Sequence, residues 1–265
     1  MHAIRSISTI FTKEIWLQNR FRLSLLSHLL VGPLISALPI AFVYGGLFHR
    51  HADLQLGDLT RQNYAAFLIF GFLIHTCLNS GYYCLSTRIL HEWWYQTLPL
   101  HWAAPCHPVS LVIGWTSLDF LKCLLLTLIA FFLLAFKSPL SLTFLLAASV
   151  TLFSLYLFGM ALGLTRSILL ILNEGRAEWF NHTYFVFLFL SFLYLPPSLV
   201  PAIVRPISLL SPAFHGSRWM LETWSHTSAI ALHSGVLVIA NVLAWATLLV
   251  GLRVYRSQIL ERSFR

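Results

Sequence analysis

Two charged side chains lie inside a long apolar stretch, where charge is costly. Asp119 and Lys122 fall within the hydrophobic run 109–136 and are separated by three positions. On a helix this spacing places both side chains on one face, so that they can form an ion pair. Because ionisable residues within a membrane span usually mark a function, the pair is a functional candidate. A structural pair, or a position near the membrane boundary, is the alternative.

The histidines and cysteines do not form a metal-binding or nucleophilic pattern. The twelve histidines are scattered, and the neighbours His49 and His51 have no evident third ligand. Ser234 follows His233 directly, but adjacent residues on one helix point about 100° apart and cannot act as nucleophile and base. The four cysteines contain no C-x-x-C pair, which favours small core residues over a zinc site or disulfides. Contact of some histidines with haem or metal remains an alternative.

Motifs for nucleotide hydrolysis and for common hydrolase chemistry are missing. None of the 13 glycines precedes a lysine, so the chain has no G-x-x-x-x-G-K-[ST] loop to hold phosphates. It also lacks H-E-x-x-H and G-x-S-x-G. The sequence therefore predicts a protein that is not an enzyme and holds no cofactor or metal of its own. An intramembrane enzyme acting on lipid is a disfavoured alternative, because the apolar runs carry no paired carboxylates.

A tryptophan-rich segment, 87–108, combines aromatic and charged side chains. Its helical pattern ends at Pro99, since proline interrupts a helix. Exposed aromatic side chains with mixed charge are typical of a docking surface for another protein. A simple anchor at the membrane interface is the alternative. The candidate docking residues are Arg88, His91, Glu92, Trp93, Trp94 and Tyr95.

A second amphipathic segment, 1–22, precedes the first apolar run. Apolar side chains cluster there among charged ones, which favours a short helix lying along the membrane surface. The charges also interrupt any hydrophobic region of a cleavable signal peptide. The candidate interfacial residues are Lys13, Glu14, Trp16 and Arg20.

Composition favours a membrane protein over a soluble one. Of 265 residues, 58% are hydrophobic and only 10% are charged, too few to cover a soluble domain, in which roughly 25% are charged. The mean hydropathy of +0.76 agrees. The net charge of +8 lies mostly outside the apolar runs, so membrane topology explains it better than nucleic acid as a partner.

Six apolar runs are long enough to be membrane spans, which need about 20 apolar residues each. Gly159 and Gly163 form a G-x-x-x-G pair that permits close helix packing. The segment 196–228 contains five prolines and reads as short helices that enter the membrane and return on the outer side. The expectation is one all-α domain, 1–265. Its predicted spans are 23–48, 64–86, 109–136, 140–165, 180–195 and 229–252.

The distribution of basic residues predicts the orientation. With both termini inside, the inner segments hold eleven Lys and Arg residues and the outer segments five, while Lys122 lies within a span. Positive charge accumulates on the cytoplasmic side of membrane proteins. Both termini and the segment 87–108 are therefore expected in the cytoplasm.

The order of these features resembles the permease subunit of the type-2 ABC exporter family, from Lys13 to the C-terminus. Relatives carry glycine and glutamate after the loop arginine and asparagine before a late proline, where this chain has His91 to Trp94 and Ser211. In chain order, the matching elements are Lys13-Glu14, Arg20 and Arg22, a first span with Pro33 and Pro39 ending Tyr44-Gly45-Gly46-Leu47-Phe48, Tyr64 to Gly71, Arg88 with Thr97-Leu98-Pro99-Leu100, Pro108 and Gly114, Leu195-Pro196 with Pro201, and Leu210-Ser211-Pro212 with Arg218.

The resemblance implies an ATP-driven exporter in a bacterial inner membrane. Such permeases pair with a second copy, here expected as a homodimer in lipid, and each binds a separate cytoplasmic ATP-binding subunit that carries ATP and Mg²⁺. The loop 87–108 then acts as a coupling helix in a groove of that subunit, with the N-terminal helix beside it. The substrate stays open among drug, lipid, polysaccharide and haem. A membrane component of a haem-delivery or envelope-assembly complex, without a power stroke, is the alternative.

Overall fold

The computed structural model contains helices joined by turns and irregular segments, with no strand among the residues it describes, which confirms the all-α fold class for that part of the chain. These residues are 8–13, 15, 38, 41–47, 49, 60, 63–97, 108–136, 139–173, 178–195, 201–225 and 230–263. Residues 8–13 and 41–47 are helical. The longer described segments, from residue 63 onward, contain α1 (Tyr64–Trp94), α2 (Pro108–Ala135), α3 (Leu142–Leu172), α4 (Trp179–Leu190), α5 (Arg205–Ser208), α6 (Pro212–Trp224) and α7 (Ile230–Ser263).

Three helices are long and apolar enough to cross a membrane, and they indicate a membrane protein. They are α1, the Val112–Ala135 part of α2, and α3. Each occupies a predicted span, although α1 and α3 extend well beyond 86 and 165. At the predicted fifth span, 180–195, the helix α4 ends at Leu190 and is followed by turns. At the predicted sixth, α7 contains a shorter apolar stretch, His233–Thr247.

Much of the predicted first span and of the amphipathic segments lies outside the described residues. Of 23–48, the structure describes 38 and 41–47. The candidates Glu14, Trp16 and Arg20 and the stretches 98–107, 196–200 and 226–229 also lie outside the described part.

The helices α1 and α3 run in the same direction, with α2 antiparallel to both. Tyr156 of α3 donates a hydrogen bond from its hydroxyl to the carbonyl of Thr116, 3.1 Å away, near the start of α2. Toward the end of α2, the Phe131 ring lies 5.7 Å from that of Phe144, at the start of α3. We call the end of the bundle with Tyr64 and Leu142 the first end. The opposite end, with Trp94 and Leu172, is the second end.

Glycines bring α1 and α3 into backbone contact. A side-chain carbon added at Gly81 would collide with the carbonyl of Tyr156. On α3, one added at Gly159 or Gly163 would collide with the carbonyls of Leu78 or Tyr82. The predicted packing role of the G-x-x-x-G pair is thereby confirmed, because only glycine allows the two backbones to approach so closely.

Polar and proline residues define two helix starts. The Ser141 side chain accepts a hydrogen bond of 3.1 Å from the Phe144 backbone N–H, which satisfies one of the free donors at the start of α3. Pro212 occupies the first turn of α6, where a missing N–H costs no helix hydrogen bond. The boundary of α3 therefore follows a sequence signal that hydropathy alone does not carry.

The helix α6 begins partway along the bundle and returns toward the first end. Near its start, Gly216 lies against Thr151 and Leu155 of α3 and Ile74 of α1. Ile74 is ten residues into α1, about 15 Å from its start at 1.5 Å per residue. At the end of α6, the Trp224 ring lies 5.9 Å from Phe70 and 5.3 Å from Phe144, which are nearer the first end.

The outward face of α2 is as apolar as its inward face. Since lipid is no more polar than a protein core, only packing distinguishes the two faces. The inward residues, at most 7% exposed, are Cys123, Leu126, Ala130 and Leu134. The outward residues, 45–65% exposed, are Leu121, Leu124, Leu125, Leu128 and Phe132.

Candidate functional site

The described part of the predicted docking segment, 87–97, consists of the continuous end of α1 and its cap rather than a separate helix. The helix runs unbroken from Tyr64 through Trp94, so its last turns project from the span itself. It stops in a hydrogen-bonded cap, in which the Thr97 N–H donates to the Glu92 carbonyl at 2.9 Å and the Gln96 N–H to Trp93 at 3.0 Å. This pattern is the Schellman motif, which requires a left-handed residue after the helix.

Gln96 supplies that left-handed residue with a φ of 56°. Glycine is the usual residue at this position, because any side chain is strained there. The Thr97 hydroxyl also donates to the Glu92 carboxylate, so a hydrogen bond between side chains adds to the backbone hydrogen bonds of the cap. The direction in which α1 ends is therefore fixed by a local network.

The capped end presents a cluster of exposed aromatic rings, which we call the aromatic tip and define as His91, Trp94 and Tyr95. Trp94 is 65% exposed and Tyr95 73% exposed. The His91 ring is 6.1 Å from the Trp94 ring and 6.0 Å from the Tyr95 ring, between centroids. The rings thus support one another and form a surface that another molecule can contact.

The other predicted docking residues lie around the tip and point less to solvent. Arg88, Glu92 and Trp93 are of intermediate exposure. Trp93 packs against a small apolar cluster whose centre is Leu90, which is 4% exposed. That cluster also contains Leu164, Ile168, Leu170 and Ile171 of α3, with Trp245 of α7 packed on it. The end of α1 therefore packs on both α3 and α7.

A buried arginine connects three helices one to two turns before the tip. Arg166 of α3 is 8% exposed, and its Nη1 donates to the Ser86 hydroxyl of α1 at 3.3 Å. Its Nη2 lies 3.6 Å from a carboxylate oxygen of Glu178, just before α4. Because the Glu178 side chain is 59% exposed, this ion pair contributes little energy by itself. The value of Arg166 lies in joining α1, α3 and α4 at the second end.

A stack of two tyrosines continues this connection into the bundle. The rings of Tyr82 in α1 and Tyr184 in α4 lie 3.7 Å apart and are parallel to within 2°. Tyr184 donates to Asn79 at 3.3 Å, while Asn181 accepts from the hydroxyls of Tyr82 and Tyr83, each at 3.4 Å. The Arg166 guanidinium lies 5.9 Å from the centre of the Tyr82 ring. Polar side chains in the span are thus paired across helices.

The cluster of Arg166 and the tyrosines was not predicted from the sequence. Arg166 counted there only as one of the inner charges, and the tyrosines had no assigned role. Asn79 and Tyr82 are three positions apart and so share a face of α1, which is the one signal in the pattern. Their partners Asn181 and Tyr184 repeat this spacing on α4.

The predicted Asp119–Lys122 pair is present, but it lies away from the aromatic tip. Nζ of Lys122 is 2.6 Å from a carboxylate oxygen of Asp119, and both side chains are about one fifth exposed, at 21% and 23%. The adjacent Phe120 ring packs 5.4 Å from that of Tyr156. Tyr156 precedes Ile171, beside the tip, by about 22 Å of helix. The pair and the tip are therefore separate sites.

The described part of the N-terminal segment packs at the second end. Ile10, in the helical stretch 8–13, lies against Gly114 near the start of α2. Lys13 is exposed on that stretch. The interfacial candidate Lys13 thus lies on a helical piece that contacts the bundle at the end that carries the aromatic tip.

The part of the chain that the structure describes contains no group of three or more His, Cys, Asp or Glu side chains suited to a metal ion. No protein-family model matches the chain, and no curated protein sequence matches it.

Proposed function

We propose that this chain is the transmembrane permease subunit of an ATP-driven exporter. In this proposal the chain has six spans, with both termini and the aromatic tip in the cytoplasm of a bacterial cell. It lies in the inner membrane as a homodimer, and a separate ATP-binding subunit supplies the energy. The observation that carries the proposal is the aromatic tip, an exposed aromatic surface on the projecting end of a span.

Helix length supports a projecting tip. The 31 residues of α1 extend over about 46 Å, whereas the hydrocarbon core of a bilayer is about 30 Å thick. About ten residues must therefore lie outside the core. The charged residues Arg88 and Glu92 are both in the last two turns of α1, so these turns form the projecting part. A docking surface on these turns would be within reach of a cytoplasmic partner.

The packing behind the tip supports transmission of movement. Leu90 and Arg166 connect the end of α1 to α3, and the Glu178 contact extends the connection to α4. When the ATP-binding partner changes conformation with its nucleotide, it displaces the tip. The bundle then moves between two packings, each favoured by one state of the partner.

The course of α6 supports the outer segment of the same proposal. A helix that begins about 15 Å into the bundle and ends toward the first end fits a segment that enters the membrane and returns. The exposed apolar residues Ile203 and Leu210, 87% and 79% exposed, precede α6 and fit contact with lipid.

The first prediction tests docking at the aromatic tip. In the double variant Trp94→Ala/Tyr95→Ala, binding of the ATP-binding subunit should weaken by about tenfold or more, because aromatic side chains dominate the energy of such interfaces. Stimulation of ATP hydrolysis by the permease in proteoliposomes should fall in parallel. The matched control is Trp179→Ala, which removes a tryptophan that is 59% exposed at the start of α4.

Two results would contradict the proposal. One is unchanged coupling in the double variant under conditions in which both variants insert equally. The other is that no ATP-hydrolysing subunit co-purifies after mild detergent extraction. The second result would favour a haem-delivery or envelope-assembly component without a power stroke.

A further inference from the structure

Three titratable side chains form a hydrogen-bonded series between α6 and α7. His215 Nε2 lies 2.7 Å from the Leu209 carbonyl oxygen. Its Nδ1 lies 2.9 Å from Nδ1 of His233. Nε2 of His233 lies 3.2 Å from a carboxylate oxygen of Glu222. The series therefore contains three hydrogen bonds and joins four residues.

Counting protons shows what this series requires. Each of the three hydrogen bonds needs one proton, and the Leu209 carbonyl can only accept, so His215 Nε2 must donate. Two neutral histidines and an ionised glutamate hold only two protons. A third proton must lie on His215, on His233 or on Glu222, and in each arrangement the series carries no net charge. Without the third proton, two lone pairs face each other at one of the contacts. With a fourth proton, two N–H groups face each other instead.

Because the two histidine rings are buried, a missing proton would leave a hydrogen bond unmade. His215 is 4% exposed and His233 8% exposed, so water cannot replace a lost hydrogen bond at the rings. The Glu222 side chain retains 24% exposure, against 10% for the His233 side chain. Glu222 is therefore the member of the series that lies nearest to water, although its oxygen Oε2 is buried.

The surroundings provide few other charges. Gly216, next to His215, packs on Thr151 of α3 and Ile74 of α1. The nearest described charged residue on α6 is Arg218, one turn before Glu222, and Arg205 of α5 lies four residues before Leu209. Arg205, Arg218 and Glu222 each make a further interaction. On α1, His75 is engaged with the Tyr194 hydroxyl at 3.1 Å. The described side chains of α7, 233–247, 249 and 250, and the stretch 142–165 of α3 contain no Asp, Glu, Lys or Arg.

We propose that His215, His233 and Glu222 form a binding site for one proton and that this proton holds α6 against α7. Release of the proton leaves a lone pair of His233 facing the carboxylate, or the two Nδ1 lone pairs facing each other, and so removes one of the connections between the helices. This site lies toward the first end of the bundle, and its role does not depend on the exporter function. It makes the α6–α7 contact responsive to the pH of the aqueous phase that Glu222 meets.

The proton count sets the sign of the pH dependence. At pH 7 to 8.5, the unfolded chain holds two protons on the separated groups, because its histidines are neutral and its glutamate is ionised. In the proposed site the folded chain holds three, one for each hydrogen bond. Stability therefore falls as the pH rises in this range, and the unfolding equilibrium constant increases by about tenfold per pH unit while the third proton stays bound.

The test compares wild type with Glu222→Gln in detergent micelles, with SDS-induced unfolding followed between pH 7 and 8.5. The glutamine amide donates to His233 Nε2, so all three hydrogen bonds form without a titrating proton. We expect wild-type stability to fall with rising pH and the variant to lose the part of this dependence that belongs to the site. Glu178→Gln, at an exposed carboxylate, should retain the full wild-type dependence. Equal pH dependence in wild type and Glu222→Gln would overturn the proposal.

A second measurement applies even if the variant fails to fold. Nitrogen NMR of the wild type labelled with ¹⁵N-histidine reports the protonation of each ring, with signals assigned by His215→Gln and His233→Gln. The two rings should respond together in one pH transition, because a shared proton links their states. Independent transitions of the two rings would contradict the shared site.

Discussion

At the scale of single residues, Gln96 shows how one backbone conformation directs a surface. Its φ of 56° allows the two capping hydrogen bonds that end α1. Residues other than glycine are strained in this region, so the chain keeps a side chain at the expense of some stability. The orientation of Trp94 and Tyr95 depends on this one turn, because both immediately precede it.

Replacement of Gln96 by glycine should stabilise the folded protein. Relief of the left-handed strain exceeds the greater flexibility of glycine in the unfolded chain, so we expect a gain of about 0.5–1 kcal/mol in the free energy of unfolding. Unfolding of the purified protein in SDS measures it. Gln96→Ala, which keeps a Cβ, serves as the control and should give no gain. A loss of stability in Gln96→Gly would contradict the assigned cap.

At the scale of helices, the contact between α1 and α3 depends on absent side chains. Gly81, Gly159 and Gly163 place backbone against backbone, and Ser167 then donates from its hydroxyl to the Ser86 carbonyl at 3.2 Å. In lipid, apolar surface alone does not draw helices together, so such close packing and interhelical hydrogen bonds provide the attraction. The position of Arg166 beside Ser86 follows from this register.

Gly163→Ala should separate the two helices. Its new methyl group would meet the Tyr82 carbonyl, and we expect a loss of roughly 1–3 kcal/mol in the free energy of unfolding, typical of overpacking. The control is Gly235→Ala in α7, where an added carbon has no neighbour within 4 Å. That variant should be neutral or more stable, because alanine favours helix. SDS-induced unfolding compares the two, and equal effects would argue against the contact.

At the scale of the whole molecule, the two ends differ in chemistry. The second end carries the aromatic tip and the Arg166 contacts, whereas the first half holds the proton-binding series and the return of α6. With three spans of alternating direction, α1 to α3, residues at opposite ends face opposite aqueous phases. The positive charge of the chain predicts which phase is the cytoplasm.

Cysteine labelling should verify this arrangement. In a Cys106→Ser background the remaining cysteines are buried, so a cysteine introduced for Tyr95 or for the exposed Thr143 at the first end provides the main reactive thiol. An impermeant maleimide should label Tyr95→Cys in inside-out vesicles and Thr143→Cys in intact spheroplasts. Reversed labelling would place the aromatic tip outside the cell and remove the basis for cytoplasmic docking.

Local features were predictable from the sequence, whereas contacts between distant residues were not. The start of α1 at Tyr64 and the spacing of Asp119 and Lys122 follow from hydropathy and helix periodicity. A helix reaching Pro99 was also predicted, but not that it continues the span without a break and ends at Trp94, because backbone hydrogen bonds continue where hydropathy falls. Pairs such as Arg166 with Ser86, 80 positions apart, depend on helix register and rotation, which one sequence does not specify.

The glycine contacts also limit the ways in which the bundle can rearrange. Gly81 of α1 and Gly159 and Gly163 of α3 each face a carbonyl of the other helix, so sliding one helix along the other would bring a larger residue onto that carbonyl. A shear between them would have to pass that barrier before the next turn, about 5.4 Å away, came into register. Large movements must therefore tilt α1 and α3 together as one rigid pair, and the packing then changes at their contacts with the other helices.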